Sequence, residues 1–301
     1  MNGSPNVMTV LVTGASGFTG RHLIAALKER GYRVVGIGNA PAPADVTISC
    51  DLTDAAAVRE AVAAAKADYV VHLAALSFVG HGDTEGFYRV NVLGTLNLLE
   101  ALGTQHPAPQ KVLIASSANV YGTPAVEVID ESVCPTPVNH YACSKLAMEH
   151  MVRTWFGRLP IIITRPFNYT GPGQDERFLI PKIVGHFKRG ERVIELGNLE
   201  VSRDFSDVAD VVAAYAALLE SEATAITVNV CSGHATSLRE VMAMMGKIAG
   251  YEIEVRVNPA FVRANEIPTL RGDNRLLRTL IHCAPQTPLN TTLAKMYEAA
   301  A

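Results

Sequence analysis

Tyr141 and Lys145 stand four residues apart in Tyr141-Ala142-Cys143-Ser144-Lys145. On a helix that spacing puts both side chains on one face. A free phenol, with a pKa of about 10, is a poor acid–base catalyst near neutrality and needs a nearby cation to favour its phenolate. Lys145 is placed to be that cation. Ser116-Ser117 closes an apolar run, where a serine hydroxyl can hold a carbonyl or alcohol oxygen. A Tyr–Lys pair alone is common on helix surfaces; it gains meaning from a second feature far upstream. Thr13-Gly14-Ala15-Ser16-Gly17-Phe18-Thr19-Gly20 follows one apolar run and opens a helical one. Glycines 14, 17 and 20 suit a tight turn whose backbone must approach a pyrophosphate closely, and the helix N-terminus offers unpaired N–H groups and partial positive charge to that anion. The competing reading is an ordinary glycine turn, and the strand before it and helix after it weaken that reading.

The elements that must carry these residues follow from the apolar pattern. Short β-branched runs at 10–12, 33–37, 46–50, 69–73, 111–115 and 160–165 alternate with helical segments near 20–30, 53–65, 84–102 and 139–156, with Thr53 a candidate cap for the second helix. Almost wholly apolar strands alternating with helices predict a parallel sheet covered on both faces, and right-handed crossovers make it an α/β, Rossmann-type doubly wound sheet. Past Pro166 prolines and glycines become frequent. Strands at 192–196 and 226–230 and helices at 208–219 and 238–249 suggest a smaller mixed α/β domain. The expected division is a dinucleotide-binding domain over 8–166 and a substrate domain over 167–301, the latter returning one or two elements to the sheet.

Hydrophobic residues form 49% of the 301 positions and charged ones 18%, enough for a large core, so disorder is excluded as a class. A net charge of −3 gives no reason to expect nucleic acid or an anionic membrane as partner. No apolar run is long enough for a transmembrane helix, and Met1 to Val7 lacks the features of a signal peptide, so a cytoplasmic location is expected. Cys50, Cys134, Cys143, Cys231 and Cys283 are scattered and form no C-x-x-C pair. They predict free thiols rather than disulfides, and no metal site. Asp51-Leu52 ends the third strand, where Asp51 can accept from an adenine amino group or simply make a turn. His72-Leu73-Ala74-Ala75 ends the fourth, its small residues allowing close backbone approach, with His72 expected to be packed rather than catalytic. The second strand ends Gly36-Ile37-Gly38-Asn39 without the acidic residue that binds a ribose 2′-hydroxyl in NAD enzymes. NADPH is therefore the expected cofactor, with Arg21 able to help from the first helix and NADH a possible substitute.

TGASGFTG, Asp51-Leu52, HLAA, SSANVYG, YACSK and RPFNYTGPGQ occur in one order across nearly the whole chain. In this the sequence resembles the extended short-chain dehydrogenases that act on nucleotide sugars. The resemblance selects Ser117, just before Ala118, as the catalytic serine beside Tyr141 and Lys145. It implies cofactor contacts from Gly14, Ser16, Gly17, Phe18, Thr19, Gly20 and Arg21, then Asn39, Asp51, Leu52, Leu73, Ala74, Ala75, Asn91, Tyr141, Lys145 and Phe167. The segment from Gly197 to Val208 resembles that of GDP-mannose 4,6-dehydratases and their reductase relatives. There Arg203 and Asn168 would reach the substrate diphosphate, and Glu266 and Arg271 the ribose and phosphates, with Ser77, Ser117 and Asn119 at the sugar. Charge-assisted guanidinium–phosphate contacts suit this task, though surface ion pairing is the plainer role for an arginine.

Departures from the family pattern narrow the expected reaction. Sugar-nucleotide 4,6-dehydratases carry an acidic residue or pair after the catalytic serine or threonine; here stand Ala118 and Asn119. Neither is a general acid or base, so dehydration lacks its catalyst. The cysteine and histidine with which GDP-fucose synthases epimerise are also missing, Ala118 occupying the first position and Asn168 to Gln174 containing no histidine. The remaining expectation is hydride transfer from NAD(P)H to C4 of a GDP-linked 4-keto-6-deoxysugar, GDP-4-keto-6-deoxy-D-mannose, giving GDP-D-rhamnose or GDP-6-deoxy-D-talose. Alternatives are a UDP-galactose-type 4-epimerase, a reductase of a dTDP-linked 4-keto sugar, and a redox-sensing NADPH-binding regulator, the last disfavoured by the intact triad. The resemblance also implies a homodimer, paired through the helices at 84–102 and 139–156, and a role in O-antigen or another surface polysaccharide.

Overall fold

The computed structural model describes residues 7–77, 83–261, 269–282 and 286–299. In chain order its first half comprises β1 (Thr9–Thr13), α1 (Phe18–Glu29), β2 (Arg33–Gly38), β3 (Val46–Ser49), α2 (Ala55–Ala65), β4 (Tyr69–His72), α3 (Thr84–Tyr88), α4 (Thr95–Gly103), β5 (Lys111–Ala115), β6 (Val128–Ile129), α5 (His140–Arg153) and β7 (Ile161–Pro166). There follow β8 (Asn168–Thr170), α6 (Leu179–Lys188), β9 (Val193–Leu196), β10 (Ser202–Asp207), α7 (Val208–Glu220), β11 (Ile226–Val230) and β12 (Ala235–Ser237). The last are α8 (Leu238–Ala249), β13 (Glu254–Val257), β14 (Thr269–Gly272), α9 (Arg275–Ile281) and α10 (Leu289–Glu298).

Seven parallel strands form the main sheet in the order β11-β7-β5-β4-β1-β2-β3. The chain leaves β1 towards β2 on one side and later returns to β4 on the other. That reversal opens the crevice at the carboxyl ends of β1 and β4 where α/β sheets bind ligands. Alternation along the strands explains the two covering layers. Leu11, Val70, Val112, Ile114, Ile161 and Ile163 face α2, α4 and α5, whereas Val10, Val12, Val71, Leu113 and Ile162 face α1 and α7. The fold is thus α/β and Rossmann-like, as its strand pattern predicts.

Past Pro166 the chain both returns to this sheet and builds beside it. β11 pairs with β7 as the seventh strand, and α7 packs its buried face into the same core as α1. A smaller sheet, β12-β10-β14-β6 with β8 alongside β10, stands beside the crevice, and α6, α8 and α10 enclose a separate apolar cluster.

Two local details differ from expectation. The helix expected over 84–102 runs unbroken, but its middle turn, Arg89–Gly94 between α3 and α4, is wound wider than an α-helix, with Asn91 buried inside it. The cap of α2 is Asp54, which accepts from the backbone N–H of Ala56 and Ala57; Thr53 instead donates to Asp51. Asp54 immediately precedes the first helical residue, and its carboxylate accepts both N–H groups at once. Cys50, Cys134, Cys143 and Cys231 are free thiols; Cys283 lies outside the described residues. Among the described residues no helix is long and apolar enough to cross a membrane, and no group of His, Cys, Asp or Glu is arranged to hold a metal ion.

Candidate active site

The glycine turn lies at the open end of β1. Gly14 adopts φ +68°, in the left-handed region that favours glycine, and a Cβ there would lie 2.8 Å from the Ala74 nitrogen. The turn can therefore sit directly against the strand end of Leu73, Ala74 and Ala75. Thr13 fixes this approach: its hydroxyl accepts from the Ala74 N–H and donates to His72 Nδ1 at 2.7 Å. His72 Nε2–H donates to Thr95 Oγ1, which in turn donates to the Asn91 carbonyl. Burial holds His72 neutral, its pKa lowered to about 3, so it packs and bonds as a strand residue.

These residues fit a dinucleotide. Asp54, Asn139, Asp207 and Ser237 cap α2, α5, α7 and α8, but Gly17 before α1 offers no capping side chain. The first-turn N–H groups of α1 are thus left to an external anion. Asn39 is exposed beyond β2, and Ser16, Phe18 and Thr19 border the turn. Arg21 is exposed and donates to the Ser16 and Gly173 carbonyls, so it ties the glycine turn to the loop after β8. Asp51 has its Oδ1 engaged by Thr53 and is held as carboxylate by those bonds, while Leu52 is buried against the wide turn.

For two expected cofactor contacts the structure shows another task. Asn91 spends its side chain on Leu76 and Ser144: its Oδ1 accepts from the Leu76 N–H at 2.9 Å, and its Nδ2 donates to the Leu76 carbonyl and to Ser144 Oγ. It pins the strand end leading to the exposed Ser77 against the Tyr–Lys helix. The Phe167 ring packs with Tyr121, Ile129, Cys231 and Leu270, and its backbone N–H donates to the Val230 carbonyl at 2.9 Å.

Ser117, Tyr141 and Lys145 come together at the end of β5. Asn139 caps α5 by accepting from the Ala142 N–H, which sets the register that turns Tyr141 and Lys145 inward. The hydroxyls of Ser117 and Tyr141 are hydrogen-bonded to each other. Lys145 Nζ donates to the Ala115 carbonyl at 2.9 Å. Burial pushes the Tyr141 phenol up to about 12, with the Ser117 bond opposing it, and lowers Lys145 to about 8, with the Glu149 carboxylate opposing it. The expected lowering of the phenol by Lys145 is not found; burial governs both groups, because a low-dielectric site disfavours the charged form of each. Ala118, fully enclosed, follows Ser117, and Asn119 donates its N–H back to Ser117 Oγ.

Across the crevice, β8, β10 and β14 carry Asn168, Arg203 and Arg271 in one small sheet: Phe205 pairs with Asn168, and Arg203 with Leu270, the residue before Arg271. Among the described residues Asn168 Nδ2 and Arg271 Nε are buried without a hydrogen-bond partner, which makes them candidate donors to a ligand. Glu266 lies outside the described residues. A cavity of about 400 Å³ lined by Phe205, His234, Arg278 and Leu289 includes none of the expected site residues.

Four supporting residues went unread in the sequence. Tyr169 stacks on Phe18 and bonds Thr19 at 2.8 Å, closing the crevice above α1. Asp204 is a buried carboxylate that accepts from Ser232 N–H and O–H, Gly233 N–H and Gly272 N–H, locking β10 to β14 beside Arg203. Glu149 and Arg165 form a buried ion pair behind Lys145. Glu149 was within reach of the helical period, being four residues past Lys145 and eight past Tyr141; the others carry no local signal.

Residues 10–231 match the model of the NAD dependent epimerase/dehydratase family. The chain belongs to this family. It is accordingly a nicotinamide-dependent oxidoreductase, and the family's cofactor suits the uncapped helix and glycine turn described above. Among curated relatives it is 38% identical over 297 residues to a GDP-6-deoxy-D-talose 4-dehydrogenase of Aggregatibacter actinomycetemcomitans, covering 97% of each chain. It is 34% identical over 295 residues to a GDP-6-deoxy-D-mannose reductase of Pseudomonas aeruginosa, covering 94% of each. A solved structure of RMD from Pseudomonas aeruginosa complexed with NADPH superposes with a TM-score of 0.85 at 32% identity, covering 97% of this chain and 96% of that one.

Proposed function

We propose that this family member interconverts a ketone and an alcohol at C4 of a GDP-linked 6-deoxyhexose, running as an NADPH-dependent reductase of GDP-4-keto-6-deoxy-D-mannose. The observation that carries the reading is the buried Ala118 beside the Ser117–Tyr141 pair. It leaves the tyrosine as the acid–base group at the sugar, enough for chemistry at one carbon and insufficient for dehydration. Relatives named for both directions of C4 chemistry on GDP-6-deoxysugars support it.

When bound, the reduced nicotinamide supplies the hydride that adds to C4. Ser117 donates a hydrogen bond to the ketone oxygen and, with Tyr141, orients it. Tyr141 gives its phenolic proton to that oxygen as the C4–H bond forms, so one hydride and one proton make the alcohol. A phenol raised to about 12 stays protonated at neutral pH, which suits donation; the reverse oxidation needs phenolate and is favoured at high pH. Lys145, held by Ala115, directs its remaining N–H bonds to the cofactor ribose. Arg203, Asn168 and Arg271 take the diphosphate and its sugar, with Ser77 and Asn119 towards the hexose. NADPH is favoured over NADH because no carboxylate ends β2 and Arg21 is exposed beside the glycine turn. The product assigned first is GDP-6-deoxy-D-talose, after the relative with 38% identity, with GDP-D-rhamnose the other face of the same ketone.

The test is NADPH oxidation with GDP-4-keto-6-deoxy-D-mannose generated in situ, followed by NMR of the sugar. Consumption establishes the reductase, and the coupling at C4 tells talose from rhamnose configuration. If folded, cofactor-loaded protein consumes none, the reading fails and 4-epimerisation or a dTDP-linked substrate takes its place.

A further inference from the structure

The α5 face of an otherwise apolar sheet carries a polar seam behind the Tyr–Lys pair. Glu149 is fully enclosed and lies one helical turn beyond Lys145 on the same buried face of α5. Its Oε1 accepts from Arg165 Nε at 2.9 Å, and its Oε2 from Arg165 Nη2 at 2.6 Å and Arg153 Nη2 at 3.1 Å. Arg165, on β7, is itself buried under the Tyr121 ring at 4.7 Å. Tyr121 donates to Asn229 on β11, whose backbone N–H donates to Glu131, and Arg153 also reaches Thr227 on β11. Around Lys145 stand Tyr141 and Glu149 on α5, the neutral His72 on β4 and the Ala115 carbonyl on β5.

A bidentate buried pair costs desolvation that its own attraction seldom recovers, so its place beside a buried lysine calls for a reason. Burial disfavours the ammonium, and a fixed carboxylate one turn away on the same face restores it. We propose that Glu149, fixed by Arg165 and moderated by Arg153, is a positioning residue that keeps Lys145 an ammonium in the closed site. Arg165 fixes where the carboxylate sits; Arg153, half exposed at the seam's outer end, withdraws part of its charge. Glu149 and Arg153 then give opposite signs on perturbation. Neutralising Glu149 removes the carboxylate that favours the Lys145 ammonium and makes the amine easier to deprotonate. Neutralising Arg153 frees carboxylate charge and makes it harder.

The direct measurement is competitive acylation with acetic anhydride across pH, with mass spectrometry of the Lys145 peptide, on the full-length protein without substrate. Glu149→Gln should lower the Lys145 midpoint by about one pH unit, roughly tenfold more free amine at a fixed pH below it. Arg153→Gln should raise the midpoint by a few tenths of a unit. An unchanged midpoint in a folded Glu149→Gln protein overturns the proposal. So does a shift of Arg153→Gln in the downward direction, which decides the matter if Glu149→Gln does not fold. A second readout rests on the proposed reductase: the alkaline limb of the reduction rate should move with the amine midpoint. Absence of turnover in the unaltered protein would sink that function while leaving the lysine titration to judge Glu149.

Discussion

The two walls of the crevice are specified in opposite ways. The wall bearing the glycine turn is defined by what its residues lack: Gly14 and Gly20 fall within one seven-residue segment and work because no Cβ intervenes. The facing wall is defined by what its residues carry. Asn168, Arg203 and Arg271 come from three strands far apart in the chain, and a buried Asp204 clamps them into one sheet. A ligand contacted through backbone can be served by a local motif; one gripped by side chains needs a tertiary frame.

The reacting residues sit at the seam of these walls, and their removal should give the largest effect. Tyr141→Phe should lower turnover about 10³-fold while NADPH binding and thermal stability stay near those of the unaltered protein. Loss of cofactor affinity instead would show that the phenol belongs to the binding wall. Asp204→Asn comes next. Each Asp204 oxygen serves two donors, so an amide nitrogen at either position leaves buried donors unpaired. Denaturant unfolding should show about 2–4 kcal/mol of destabilisation, and weaker GDP binding with cofactor affinity kept would sharpen the contrast between the walls. Gly20→Ala should act on the other wall alone. Its Cβ would fall 2.3 Å from the Gly14 carbonyl, so the turn must shift. About 1–3 kcal/mol of stability and most cofactor affinity should go, with GDP binding preserved; equal losses of both ligands would break the comparison.

A pH series probes the hinge between β1 and β4. His72 is neutral in the fold, with its pKa depressed to about 3, but takes up a proton near its ordinary value once unfolded. The unfolded state therefore binds the extra proton, and stability present above pH ~6.5 is lost as pH falls towards 3, by at most about 1.4 kcal/mol per unit. His72→Gln should flatten that slope by about one proton, and an unaltered slope would mean that other groups dominate it. The smallest effect is expected at Arg21. Arg21→Ala should weaken NADPH by about 1 kcal/mol and NADH less, measured by fluorescence titration; equal weakening would restrict Arg21 to tying the turn to Gly173.

This asymmetry also explains what the sequence disclosed. Gly14 to Gly20, the four-residue Tyr–Lys spacing and the apolar strands are short-range patterns, so the Rossmann-like sheet and the Tyr141–Lys145 pair could be read residue by residue, while the choice of Ser117 over Ser116 came from the resemblance. The resemblance added Arg203 and Arg271 but not Asp204, because a lone aspartate carries no sign of the four donors that folding will aim at it. Arg165 and Glu149 each look like misplaced charges until β7 and α5 are packed together. Asn91 illustrates the same limit: its position was singled out, but its work, bracing Leu76 and Ser144 from within a wide helical turn, depends on partners 15 and 53 residues away.

The seventh strand gives the polypeptide an order of assembly. Until residues 226–230 have been made, β7 presents Ile161 to Pro166 as a bare edge, with its N–H and carbonyl groups seeking a neighbour. A ribosome-bound chain ending near 166 therefore holds Ser117, Tyr141 and Lys145 yet carries a sticky margin, and a release or truncation there should yield self-association rather than a small soluble protein. The distant strand thus acts as a seal, and it arrives only after much of the facing wall has been synthesised.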